Sequence, residues 1–300
     1  MSESALQDVL VKYRHYLRGL GLSEVTTKNY VGDMRHFASW LARTGSRSLL
    51  KGTNGDIQAY SSELVAGNAP HAATANRRLQ SIRKFYRYAL YAGLVEEDLS
   101  VGVKLLPQPK SQMRRGLSEP EVDRLLEAVR DAPPRFVKRD YAIVQLILHT
   151  GVRVGELTRL RLSDVSLSGD KGVIRIGGQR AGQRREIPLK APMRETIAAY
   201  LEERPASSDD HLFLSRKGNP LSVRSAQRLI NTYAKAAGLQ NVSAYTLRQT
   251  CGEQTLKGTG DLSLVAKLMG HKRLETAVKY VLPRQEHLAE VAERSSLSAL

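Results

Sequence analysis

Residues 104 to 117, KLLPQPKSQMRRGL, interrupt a chain that is otherwise patterned for helices. Its two prolines fix φ and remove backbone donors, its four basic residues repel one another, and no apolar period runs through it. A hydrophobic core does not continue across such a stretch, so the chain is expected to form two separately packed bodies. The expected divisions are a first domain at 1–107, a basic linker at 108–117, a second domain at 118–283 and a tail at 284–300.

Before the linker, apolar residues recur at three- and four-residue steps, the mark of a helix buried along one stripe. Leu6, Val9, Leu10, Tyr13, Leu17 and Leu20 form the first such stripe, and Gly21 ends it. Ser23 can cap a second helix, carried by Tyr30, Met34, Phe37 and Leu41 as far as Gly45. A short helix over 57–65 and a long one over 74–92 follow. The long helix has Leu79, Ile82, Tyr86 and Ala89 on one side and Arg77, Lys84 and Arg87 roughly opposite.

After the linker, Ser118 and Glu121 have the spacing of a capping box ahead of a stripe of Val122, Leu125, Leu126 and Val129. A more apolar helix then ends at Gly151. The period shifts next: GVIRI (172–176) and REIPL (185–189) are short β-type runs joined by GGQRAGQR. Arg175, Arg180, Arg184 and Arg185 fall in this hairpin, which is expected to project as a positive arm. Helices are expected again over 193–201, 222–237, 246–257, 262–269 and 286–293. The fold class is therefore mainly α with a small antiparallel β-sheet, α+β in the second domain.

Lysine plus arginine number 46 against 30 acidic residues, a net charge of +16. Such a surface favours a polyanion, and nucleic acid is the usual one. The candidate phosphate contacts are Arg77, Lys84 and Arg87 on the long helix, Lys110, Arg114 and Arg115 in the linker, and Arg184 and Arg185 in the hairpin. A single cysteine, Cys251, excludes an internal disulfide. The absence of an apolar run of about 18 residues and of a signal-peptide layout points to a cytoplasmic protein with no membrane partner. The chain has no Cys/His cluster, no P-loop and no acidic pair suited to two metals, so no cofactor and no metal are expected. His149 and Cys251 sit in apolar helical contexts and are read as core residues.

Three stretches of the second domain remain: HTGVRVGELTRLRL with Arg153 and Glu156, SAYTLRQT with Arg248, and LMGHKRLETAVKY with His271 and, nine residues later, Tyr280. In this order they resemble the tyrosine recombinase family of phage integrases and Xer proteins, through TGVRVGEL, YTLR, LMGH and Tyr280. The likeness extends over nearly the whole chain, since LRGLGLSEVTTKNYVGDMRHFASWL and RRLQSIRKFYRYALYAGLVEEDL are similar to that family's helical core-binding domain. The resemblance implies a SAM-like domain of four to five helices, a catalytic domain, and four protomers holding two sites in double-stranded DNA. A second recombinase or an accessory protein is a further possible partner. The tail, with Leu288, Val291, Leu297 and Leu300, is expected either to dock into a neighbouring protomer or to fold back on its own domain.

The implied chemistry is strand breakage without metal or ATP. Tyr280 would attack phosphorus and stay attached as a 3′-phosphotyrosine, releasing a 5′-hydroxyl. Arg153 and Arg248 would clamp the non-bridging oxygens, His271 would supply a hydrogen bond or a proton, and Glu156 would support Arg153. Two positions depart from the family pattern. Tyr245 stands where the family has histidine, and a phenol with a pKa of about 10 donates well but is a poor base at neutral pH. Arg180 stands where the hairpin lysine is usual, and arginine is a poor acid, which leaves Lys171 and Lys190 as substitutes to consider. These departures motivate a rival reading, a catalytically weakened architectural DNA-binding relative. A second rival keeps the chemistry but alters the outcome, as in a hairpin-forming telomere resolvase, which the simple two-domain length disfavours.

Overall fold

A computed structural model describes residues 3–45, 48–66, 72–107, 115–133, 136–177, 184–271 and 274–277. The chain divides into two compact units, Met1–Gln112 and Met113–Leu300. Tyr280, Arg180, Lys110, Arg114, the 286–293 segment and the tail all lie outside the described residues.

Among its described residues the first unit has four α-helices: α1 (Glu3–Gly19), α2 (Glu24–Gly45), α3 (Asn54–Ala66) and α4 (Ala72–Tyr91). Leu10, Tyr13 and Leu17 of α1 and Leu79, Ile82, Tyr86 and Ala89 of α4 are almost fully enclosed as expected, but Leu20, past the end of α1, is exposed. Tyr13 meets Phe85 edge-on at 5.2 Å, and Trp40 packs against Tyr60 at the same separation. Buried Asn76 on α4 bonds both the carbonyl (2.9 Å) and the N–H (2.7 Å) of Leu106, so the chain leaving the unit is tied to its own core as far as that residue.

The second unit begins with α5 (Glu119–Arg130) and α6 (Val137–Thr150), continues through the single turn α7 (Val154–Leu157), and enters a sheet. Glu121 accepts from the N–H (2.8 Å) and the hydroxyl (3.1 Å) of Ser118, as the capping-box spacing predicts. The sheet has three antiparallel strands in sequential order, β1 (Val165–Ser168), β2 (Lys171–Ile176) and β3 (Arg185–Pro188). Strand β1 was not expected. Its VSLS sequence is four residues long and alternates only between half-buried and exposed, too weak a period to announce itself. Then come α8 (Ala191–Glu203), α9 (Val223–Ala236), α10 (Ala244–Thr259) and α11 (Leu262–Met269). Ile143, Ile147, Leu157, Ile174, Ile176 and Leu247 are fully buried in a mostly aliphatic core that also holds Tyr200 and Phe213.

The register explains which hairpin residues face inward. Ile174 pairs with Ile187 and Ile176 with Arg185. Paired residues share a face of the sheet, so Arg185 lies on the same side as Ile187 and both core isoleucines of β2. No helix among the described residues is long and apolar enough to cross a membrane.

Candidate active site

Helix α6 stops at Gly151 because the next backbone position is left-handed, φ 58°. A Cβ there would stand 2.3 Å from Met269 Sδ and 3.3 Å from Cys251 Sγ, so only glycine lets α6 approach α10 and α11 this closely. The exposed turn that follows presents Arg153. Its N–H donates to Glu156 Oε2 at 2.9 Å, its guanidinium to Glu156 Oε1 at 3.1 Å, and its other terminal nitrogen to the Gly270 carbonyl at 3.1 Å. Nearly half of the Arg153 side chain (46%) remains exposed, which leaves it accessible to a ligand.

Arg248 lies one turn into α10, whose start is fixed by the Ser243 hydroxyl accepting from the Thr246 N–H. It is buried, at 6% exposure. It donates to the Gly151 carbonyl, to the Met269 carbonyl at 2.6 Å and to His271 Nε2 at 3.0 Å. Because a guanidinium can only donate, Nε2 of His271 is the acceptor here, which places that ring's proton on Nδ1 when it is neutral. His271 itself follows the left-handed Gly270 that ends α11, and its N–H returns to the Ala266 carbonyl at 2.9 Å.

Glu156 and Arg185 complete the cluster. Burial is the largest influence on the Glu156 carboxyl and pushes it up. The hydrogen bond and charge of Arg185, then those of Arg153, more than offset this and leave it below the ordinary range. Arg185 corrects the expectation that it projects with the hairpin to meet DNA: only 11% of its side chain is exposed, and it bonds Glu156 and the Leu268 carbonyl. The alternation of Arg185, Ile187 and Leu189 carried that information, since every second residue of a strand shares one face. Arg184 is exposed, and Arg175 pairs outward with Glu186 at 2.9 Å.

Tyr245 is 48% exposed in the first turn of α10, three residues before Arg248. Lys171 and Lys190 are at the other end of the β2–β3 ladder from Arg185, five residues along each strand. That is roughly 16 Å of strand, beyond the reach of a lysine side chain, so neither joins the cluster. Cys251 is buried and its thiol is pushed up by that burial to about 11, consistent with a packing role. His149 is half-buried, is held below its ordinary pKa by burial, and faces the Pro188 carbonyl at 3.4 Å. One group among the described residues has the spacing of a metal site, Asp209, Asp210 and His211. Arg161 already binds Asp210 at 2.6 Å, and His211 binds Asp209 at 2.6 Å.

The basic surfaces are more varied than composition suggests. Lys84 and Arg87 line a shallow groove of the first unit with Tyr30, Gln80 and Arg83. Arg77 instead turns to the buried carboxylate of Asp33. Arg115 pairs with Glu121 at 2.5 Å and stays 58% exposed. Sequence reasoning passed over α9, where Arg224, Gln227, Arg228, Asn231 and Lys235 are exposed while Ala226, Ile230 and Ala234 are buried. The complete lack of acids across Val223–Ala236 was the available signal.

Comparison with known proteins matches the Phage integrase family over residues 115–287 and the Phage integrase N-terminal SAM-like domain over residues 10–93. Tyrosine recombinase XerC of Myxococcus xanthus is 30% identical over 298 residues, spanning 96% of this chain and 97% of the relative. Tyrosine recombinase XerD of Corynebacterium glutamicum is 31% identical over 282 residues, 90% of this chain and 91% of the relative. The crystal structure of XerA recombinase shares 26% identity at a TM-score of 0.55 and covers 97% of this chain and 99% of its own. XerH bound to a palindromic difH substrate, at 21% identity, shares the fold with a TM-score of 0.75 over 97% of this chain and 84% of its own. These matches do not favour the reading of a weakened architectural relative. Matched by the family over more than half its length, and by relatives over nearly all of it, the chain belongs to the phage integrase family of tyrosine recombinases and is a site-specific DNA recombinase.

Proposed function

We propose that Tyr280 is the nucleophile and that Arg153, Arg248 and His271 form the pocket that receives the scissile phosphate. The observation that carries this reading is the meeting of those three side chains at the C-terminal end of α11, with Tyr280 only nine residues beyond His271. As the phenolate attacks, charge grows on the non-bridging oxygens. Two guanidiniums held beside that spot stabilise it. The phosphotyrosyl bond keeps the energy of the broken linkage, so a 5′-hydroxyl can reverse the step and neither ATP nor metal is needed. Tyr245 donates to a phosphate oxygen, and His271 carries the proton exchanged with Tyr280. Arg180 neutralises charge near the leaving oxygen but protonates it poorly.

Residues 1–107 and 118–283 each bring a basic face to one duplex. Lys84 and Arg87 contact phosphates, as do Lys110, Arg114, Arg115 and Arg184. The exposed side of α9 offers Arg228, Gln227 and Asn231, the residue types that pair with base edges in a major groove. Solved relatives include a lambda integrase tetramer bound to a Holliday junction. The same assembly, with the 284–300 tail joining protomers, is proposed for this chain in the cytoplasm.

The test is covalent capture. The protein is incubated with nicked duplexes drawn from its own genome, denatured in SDS, and the protein-linked DNA is sequenced. DNA linked to the parent and absent from Tyr280→Phe is the expected result and also delivers the site. Equal linkage by both proteins would remove Tyr280 as the nucleophile.

A further inference from the structure

The last residues of α11 carry a cap of unusual composition. An α-helix ends with carbonyls that have no partner inside the helix and with a partial negative charge. Here three consecutive carbonyls each accept from a different arginine. Arg185 Nε reaches Leu268 at 2.8 Å, Arg248 reaches Met269 at 2.6 Å, and Arg153 reaches Gly270 at 3.1 Å. The three come from three elements: the start of β3, the first turns of α10, and the residue before α7.

Arg185 differs from the other two in how its donors are used. Its terminal nitrogens meet both oxygens of Glu156, at 3.3 and 3.0 Å, while Nε holds Leu268. Glu156 in turn receives the guanidinium and the backbone N–H of Arg153. The Arg185 guanidinium also lies against bare backbone at Gly270, where a Cβ would come within 2.7 Å of it. Swinging Arg185 out to a phosphate would strand Glu156, whose side chain is only 13% exposed, as a buried carboxylate with half its partners gone, a change that is strongly unfavourable.

We infer that Arg185 is a positioning residue, not a DNA contact: it joins the foot of the hairpin to Glu156 and α11 and so sets Arg153 and the Gly270–His271 turn in register with Arg248. The inference rests on the reading of Arg153 and Arg248 as the phosphate clamp. It adds that the clamp's geometry depends on a third arginine that never touches the substrate. Lysine cannot replace it, because one ammonium cannot grip both carboxylate oxygens in a fork and the Leu268 carbonyl together.

The experiment separates binding from chemistry. Arg185→Lys and Arg185→Met are compared with the parent on a nicked duplex of the captured site, measuring Kd across a salt series and the single-turnover rate of covalent adduct formation. A displacement of the clamp by about 1 Å slows cleavage on the order of 100-fold. The methionine variant should therefore fall by about that factor and the lysine variant by less. Kd should stay within about twofold, and the slope of log K against log salt should not change, because no phosphate contact is lost. A weaker Kd with the slope reduced by about one would make Arg185 a phosphate contact and overturn the inference. Parental cleavage by the lysine variant would overturn it as well. If the methionine variant does not fold, the lysine variant decides. Failure of the underlying reading looks different: Arg248→Met would then cleave like the parent whatever Arg185 does.

Discussion

In the first unit Tyr13 meets Phe85 edge-on, and Phe37, Trp40 and Tyr60 form a second set of ring contacts. The core of the second unit is mostly aliphatic, with Tyr200 stacked on Phe213, yet Arg139, Asp140 and Arg248 are buried, and Glu156 and Arg185 nearly so. Rings supply large apolar area and a definite packing geometry without desolvating a charge. Buried ion pairs contribute little net stability against their desolvation cost, and breaking one is expensive. The first unit relies mainly on the first kind of core, with the buried Asp33 carboxylate beside it. A unit that must hold several guanidiniums in fixed relative positions accepts the second.

Two glycines test this contrast most severely. Gly151 and Gly93 both have left-handed backbones, φ 58° and 64°, but a Cβ at Gly93 meets nothing within 4 Å, whereas one at Gly151 drives into Met269. Gly93→Ala should cost only the conformational strain, about 1–2 kcal/mol, with cleavage of nicked substrate unchanged. Gly151→Ala adds overpacking of about 1–3 kcal/mol. It also displaces the carbonyl that Arg248 grips, so cleavage should fall by roughly 100-fold or more. Calorimetric melting and single-turnover cleavage measured on both variants check this. Equal losses would mean that the second unit is no less tolerant of displacement than the first.

A smaller effect is expected at Asp33, an acid that the first unit buries beside Arg77. Asp33, 6% exposed, accepts from Arg77 and, at 2.6 Å, from the Ser81 hydroxyl. Arg77→Met leaves that carboxylate short of a partner and should cost about 1–3 kcal/mol by denaturant titration. If Arg77 also lies on phosphate, the salt dependence of DNA binding weakens by about one unit of slope. If the slope is unchanged, Lys84 and Arg87 alone are the ridge.

Much of this was legible in the sequence where a local rule governs a local outcome. Gly151, the Ser118–Glu121 box and the 262–269 helix fell where spacing put them, because caps and apolar periods act over one or two turns. The family motifs identified Arg153, Arg248 and His271, and the fold brings these three together. Arg185 was misjudged because a run of arginines beside glycines looks like a solvated tip. Its true surroundings are set by strand register and by Leu268, which is 83 residues away. Strand β1 has too weak a period to be read from sequence, whereas the basic side of α9 is legible only as a run without acids.

The mildest test compares two ion pairs of like chemistry. Arg18–Glu24 in the first unit is open, with Glu24 65% exposed, while Glu121 beside Arg115 is 17% exposed. The hydrogen bond from Arg115 is the main cause holding the Glu121 carboxyl down at about 2, and Glu24 is lowered chiefly by its bond from Arg18. A depressed carboxylate stabilises the folded state above its unfolded pKa, about 4.3, and that contribution drains away as pH falls through the folded value. Glu121→Gln should therefore lower the melting temperature at pH 7, by no more than about 1 kcal/mol in stability because Arg115 is largely in water. The difference should close progressively between about pH 4.3 and pH 2, the window spanned by the unfolded and folded values. Glu24→Gln should show hardly any difference at either pH. A pH-independent loss at Glu121 would assign its role to the Ser118 cap alone, since a glutamine can still accept those bonds at any pH only if its amide turns the right way.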